Sequence, residues 1–142
     1  MLALAISIAS QAFEERVDRQ GKPYILHCLR VMQSVQNLGD EEIMCIAVLH
    51  DLIEDCMEWT IEDLTRLGFS IRVLNALELL THKPEIHYDA YIREISNNQD
   101  ARMVKLADLK DNSDVTRCKG LTKADFVRLE KYHKAYVYLS KV

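Results

Sequence analysis

The stretch AVLHDLIEDC, residues 47 to 56, sets one imidazole and three carboxylates at the end of a run suited to a protein interior. From Ile43 to Leu49 every residue is apolar, the pattern of a helix buried on all sides. On a continuous helix, with His50 as origin, Glu54 falls at about 40°, Asp51 at about 100° and Asp55 at about 140°, so the four share one side. Ile43 and Ile46 fall at roughly +20° and −40° on the same wheel, so the charged group emerges from an apolar face.

Three carboxylates in such a setting repel one another and lose hydration; without a cation they become protonated or turn to water. A bound metal ion resolves both problems, and the remaining acids are then available for proton transfer. The competing reading is an ordinary helix end at the surface, with Glu54 and Asp55 solvated and His50 a packed imidazole. Two other segments bear on the choice. PYILHCLRV places His27 among Ile25, Leu26 and Leu29, where a single histidine is otherwise a hydrogen-bonded structural residue. MVKLADLKDN places Asp108 after Val104, Leu106 and Ala107, with Asn112 four residues on and on the same helical face.

The order His27, His50-Asp51, Asp108 resembles the H…HD…D signature of the HD-domain metal-dependent phosphohydrolases. More closely, GKPYILH, AVLHDLIED and VKLADLKDN resemble the G-x-P-Y-I-x-H, L-L-H-D-x-x-E-D and K-L-A-D-R-x-x-N motifs of the hydrolase domain of the RelA/SpoT-type alarmone hydrolases, including the small stand-alone forms. The likeness runs from about Ala12 to Asn112, and ELLTHK and YDAYIREI resemble family segments between the second and third motifs. The resemblance implies a metal held by His27, His50, Asp51 and Asp108, with Glu54 and Asp55 positioning and deprotonating the attacking water. It further implies that Asn112 touches the nucleotide and that Tyr24 shapes the pocket. The ion of the family is usually manganese, and two imidazoles with two carboxylates suit a borderline divalent cation. The implied reaction is removal of pyrophosphate from the 3′ position of ppGpp or pppGpp.

Two positions depart from the family pattern. Asp18 and Arg19 stand where a basic pair usually precedes the Gly-x-Pro-Tyr turn, and Leu109 stands where the third motif has arginine. Arg19 and Lys105 are then the expected substrate-binding cations, with Arg16, Lys22 and Lys83 as further sources of positive charge. The departures favour a competing substrate of the same class, a nucleoside monophosphate or a 2′-phosphorylated dinucleotide. A non-catalytic module that binds alarmone without turnover is a third reading, opposed by the intact Glu54-Asp55 pair. No Gly-rich phosphate loop is present, which argues against P-loop chemistry.

The elements that must position these residues read as helices. With 49% hydrophobic residues, 28% charged residues, 4 Gly and 2 Pro in 142 residues, chain breakers are scarce and the expected class is all-α. The pattern predicts a single HD-type domain over residues 1–142, built of about eight helices. The first spans residues 2 to 16, the second Pro23 to about Asn37, and the third opens at Asp40 and carries the HD motif. Two shorter ones follow Thr60 and Ser70, two run from Tyr88 to Asn97 and from Ala101 to Ser113, and a last long one opens at Thr122 with Asp125. The opening MLALAISIAS lacks a positive leading segment and runs into an amphipathic pattern, so it reads as a core helix rather than a targeting signal. No stretch approaches the roughly 20 apolar residues of a membrane span.

A formal net charge of −4 gives no reason to expect nucleic acid as partner and leaves room for a small phosphorylated nucleotide. Cys28, Cys45, Cys56 and Cys118 form no C-x-x-C pair and read as reduced packing residues, which suits the cytoplasm. The synthetase half of the long alarmone enzymes has no room in this length, so hydrolysis alone is expected. His82, His87 and His133 lack acidic partners at ligand spacing and read as surface or packing residues. Trp59 reads as a packing plug, and Tyr132, Tyr136 and Tyr138 as packing residues that could serve a homo-oligomer contact.

Overall fold

The helix α3 (Glu41–Leu49) is the axis around which the chain assembles. The computed structural model describes residues 1–142. Against α3 pack α1 (Leu2–Ala12), α2 (Ile25–Val35), α6 (Ile71–Leu80) and α8 (Gln99–Asn112), so that Ile43, Cys45 and every residue from Ile46 to Leu49 are buried. The set is completed by α4 (Leu52–Asp55), α5 (Ile61–Arg66), α7 (Tyr88–Ser96) and α9 (Lys123–Ser140), with single 3-10 turns at Gln36–Leu38 and Val115–Arg117. The fold is all-α. A cluster of 31 buried apolar residues runs through it, and Phe13, Leu49, Leu52 and Leu64 are fully enclosed. No helix is long and apolar enough to cross a membrane.

Local chemistry sets most helix starts. Asp40 accepts from the N–H groups of Glu42 and Ile43, and Gly39, at φ 67°, reverses the chain just before it. Thr60 with Asp63, and Thr122 with Asp125, form reciprocal capping boxes, and Ser70 caps α6.

Three boundaries differ from the sequence pattern for tertiary reasons. The first helix ends at Ala12 rather than residue 16, because Phe13 turns fully inward and the Arg16 carbonyl accepts the Tyr24 N–H instead of continuing the helix. Pro23 does not open the second helix; it pairs with Val17 in an isolated bridge and the helix starts at Ile25. The helix expected through the HD motif stops at Leu49 and resumes at Leu52, so the eight expected helices are present with the third divided.

Arg72, at the start of α6, ties the fold across its surface. Its guanidinium reaches Asp100 at 2.7 Å, Asp40 at 2.7 Å and Glu42 at 3.0 Å, linking the starts of three helices. The Arg72 hydrogen bond holds the Asp40 carboxyl below its ordinary value of 3.8. A depressed carboxyl pKa stabilises above the unfolded value and the benefit disappears as pH falls through the folded one. Arg72→Ala is therefore expected to cost about 1 kcal/mol or less at neutral pH, the solvent-screened range for such pairs. Urea titrations should show the difference from wild type shrinking below pH 4 and salt reducing it throughout.

Candidate metal centre

Three elements aim side chains at one point. His27 comes from α2, His50 and Asp51 from the junction of α3 and α4, and Asp108 from α8. The His27 and His50 Nε2 atoms lie 3.3 Å apart. Asp108 Oδ1 is 3.1 Å from the first and 3.4 Å from the second, and Asp51 Oδ2 is 3.6 Å and 3.1 Å away respectively. His27, His50 and Asp108 are buried, while Asp51 keeps partial access from the adjoining cavity.

The helix break makes this convergence possible. The His50 N–H and the His50 Nδ1–H both turn onto the Ala47 carbonyl, the ring nitrogen at 2.7 Å, so the imidazole enters the helical ladder where the helix stops. Neighbouring residues on an unbroken helix diverge by about 100°. With the break, His50 and Asp51 face the same point.

The outer nitrogens of both imidazoles are occupied, His50 Nδ1 by that carbonyl and His27 Nδ1 by Asp111 Oδ2 at 2.7 Å. Each acceptor fixes the tautomer with the proton on Nδ1, so each neutral ring presents its Nε2 lone pair inward. Two lone pairs and two carboxylate oxygens facing one another at these distances repel unless a cation lies among them. The ligand atoms of His27, His50 and Asp51 fall within 4.8 Å of one another, close enough to hold a metal ion, and a mixed nitrogen and oxygen set suits a divalent one. Without such an ion, protons on the imidazoles are what offsets the carboxylates. Burial works against charge on each group, yet the neighbouring carboxylates push both imidazole pKa values up, while His50, His27 and, for Asp108, Lys105 hold the carboxyls down.

The centre lies in the wall of a cavity of about 540 Å³. Glu54 and Asp55 line it on the side of α4. Glu54 Oε1 accepts the His82 backbone N–H at 2.6 Å, and Asp55 pairs with Arg16 at 3.3 Å. Burial raises the pKa of both carboxyls, with Asp51 adding to the rise. Tyr24 donates its hydroxyl to Asp51 Oδ2 at 2.6 Å and lies under the Arg16 guanidinium, 4.6 Å from the ring centre.

Of the expected substrate-facing groups, Arg19 is exposed at the cavity. Lys105 and Asn112 line it as well, but both donate to Asp108, each at 2.8 Å. The sequence pattern passed over Asp111, Arg30, Arg117 and the α9 residues Arg128 and Lys131, all of which face the cavity, and Tyr132, expected in packing or at a subunit contact, faces it as well. Asp111 lies three residues after Asp108 on the same helical face, a signal present in the sequence. His82, expected at the surface or in packing, stacks on Tyr91 with ring centres 4.5 Å apart and lines the cavity.

Residues 5–106 match the family model of the HD domain. The chain belongs to the HD-domain family of metal-dependent phosphohydrolases. This HD domain is also similar to the guanosine-3′,5′-bis(diphosphate) 3′-pyrophosphohydrolase of Aquifex aeolicus (strain VF5), at 32% identity over 117 residues, covering 76% of this chain and 16% of the relative. The chain thus spans about a sixth of the length of the curated relative it matches.

Proposed function

We propose that this HD domain hydrolyses (p)ppGpp at the 3′ position, releasing pyrophosphate with the aid of a manganese ion held by His27, His50, Asp51 and Asp108. The observation that carries the reading is the meeting of those four side chains, three of which, His27, Asp51 and Asp108, line one cavity that also holds Glu54 and Asp55. The similarity to a protein named for this reaction directs the choice of substrate.

When bound, a divalent ion supplies Lewis-acid charge to a water and to a phosphoryl oxygen. Glu54 and Asp55 do the proton work. The His82 N–H fixes one oxygen of Glu54 and leaves the other for a water, and Arg16 holds Asp55 in the same wall. The water loses a proton to this pair as its oxygen bonds to the phosphorus carried by the ribose 3′ oxygen. The bond from that phosphorus to the 3′ oxygen breaks, the 3′ oxygen takes a proton, and GDP or GTP leaves with pyrophosphate. Arg19 and Lys131 line the cavity without an ion-pair partner, Lys131 lying 4.7 Å over the Tyr88 ring, and they supply charge for the polyphosphate. Four free cysteines accord with a cytoplasmic setting.

A specific observation supports a second substrate. Asp18 accepts the N–H groups of Gln20 and Lys22 and so serves a turn where the alarmone hydrolases carry a cation. Leu109 is buried in the core, so its position offers nothing to the cavity. Both features favour a nucleotide with fewer phosphates, such as a nucleoside monophosphate or a 2′-phosphorylated dinucleotide.

The test is product analysis on the metal-stripped protein, with and without manganese, against ppGpp, pppGpp, nucleoside monophosphates and a 2′-phosphorylated dinucleotide. Manganese-dependent formation of GDP and pyrophosphate from ppGpp is the expected result. Cleavage of a monophosphate with ppGpp left intact would move the assignment to the second substrate, and tight ppGpp binding without product would make the domain a binding module.

A further inference from the structure

Asp111 is a carboxylate with no room to move. Its Oδ2 accepts the His27 Nδ1–H at 2.7 Å, and a guanidinium fork from Arg30 grips both oxygens, Nε to Oδ1 at 2.8 Å and Nη2 to Oδ2 at 3.1 Å. A second guanidinium, from Arg117, reaches the Asp111 backbone carbonyl at 2.9 Å and Oδ2 at 3.3 Å. The side chain is only 10% exposed. Two cations on one acid exceed what a simple surface pair requires, and their geometry locks the carboxylate plane toward α2.

We infer that Asp111 is a positioning residue that orients His27 as a ligand of the proposed metal and makes its Nε2 a stronger donor. The inference rests on the metal reading given above. The two imidazoles of the centre are backed unequally. His50 donates to a neutral backbone carbonyl, whereas His27 donates to an ion held in place by Arg30 and Arg117. A carboxylate behind an imidazole fixes the tautomer, restrains the ring and raises the basicity of the inner nitrogen, and loss of such a partner typically weakens metal affinity ten- to a hundredfold. Arg30 and Arg117 serve the ligand through Asp111 and leave the inner atoms of the centre untouched.

The experiment is calorimetric titration of manganese into the stripped full chain, with wild type, Asp111→Asn and Arg30→Met compared at one pH. Asp111→Asn keeps the shape and removes the charge. It is expected to raise Kd about ten- to a hundredfold. Arg30→Met leaves the acid in place but frees its plane, and should weaken binding in the same direction by a smaller factor. Melting of the stripped proteins separates this from a packing role, which would lower Tm and leave the Kd of the folded fraction unchanged. The ring nitrogens of His27 in wild type, read by nitrogen NMR, should show the proton on Nδ1, a readout that does not depend on whether the variants fold. Wild-type affinity in Asp111→Asn, or a His27 ring carrying its proton on Nε2 alone, overturns the inference while leaving the metal reading intact. Failure of the wild type itself to bind manganese overturns both.

Discussion

Asp51→Ala is expected to leave a folded protein that no longer retains a divalent ion and that turns over substrate at least about a thousandfold more slowly, since Lewis-acid stabilisation is worth several kcal/mol and each 1.4 kcal/mol is tenfold. Asp51 is the most informative member of the set to remove. Asp108 is enclosed and also receives Lys105 and Asn112, so its loss would strand a half-buried ammonium and confound folding with binding. Asp51 sits at the cavity edge, and the Tyr24 hydroxyl left behind can turn to water. Metal content after gel filtration and melting curves with and without manganese are the measurements. Wild type should gain about 2.7 kcal/mol of stability at a hundredfold excess over Kd, and the variant nothing. Full metal occupancy in Asp51→Ala would mean that the ion is held elsewhere.

Glu54→Gln and Asp55→Asn should behave in the opposite way, keeping the ion and losing the chemistry. Removal of a general base typically lowers the rate by about a hundred- to ten-thousandfold. Because both acids are assigned to the same water, the double variant is expected to be little worse than the more damaging single one, as for groups that act as a unit. Steady-state rates and metal content measured on the same preparations decide it. Two variants that each bind manganese normally and hydrolyse at wild-type rate would remove the pair from the mechanism. Asp55→Asn also weakens the contact with Arg16, so a rise in KM confined to this variant would report on Arg16 rather than on proton transfer.

The sequence was most legible where structure is local. Asp40, Thr60, Ser70 and Thr122 announce their helices because a capping side chain acts within three residues of itself. His27, His50, Asp51 and Asp108 stood out because polar groups in apolar runs need partners. What escaped was decided by contacts of particular side chains that helical periodicity does not carry. Nothing near Glu14 forbids a helix; burial of Phe13 and the return of Tyr24 to the Arg16 carbonyl end it. The break at His50 depends on an imidazole taking a backbone carbonyl, which a helical wheel assumes away. Lys105, expected to meet a ligand, lines the cavity and also pairs with Asp108, one turn along its own helix.

The match to the HD-domain family ends at residue 106, yet α9 brings Arg128, Leu129, Lys131 and Tyr132 to the same cavity. That helix buries only Ala135 and Leu139 and leans on α7 and α8, so it contributes little to the packing of α2 against α3 that fixes the inner side chains. On the proposed reaction, α9 thus adds side chains to the cavity while resting on α8, the helix that carries Asp108. If the domain acts on a nucleotide as proposed, substitutions at these cavity-facing positions are expected to alter which nucleotide is admitted, by size or by charge. A library confined to these four positions would be a practical route to altered selectivity in a catalyst whose core need not be rebuilt.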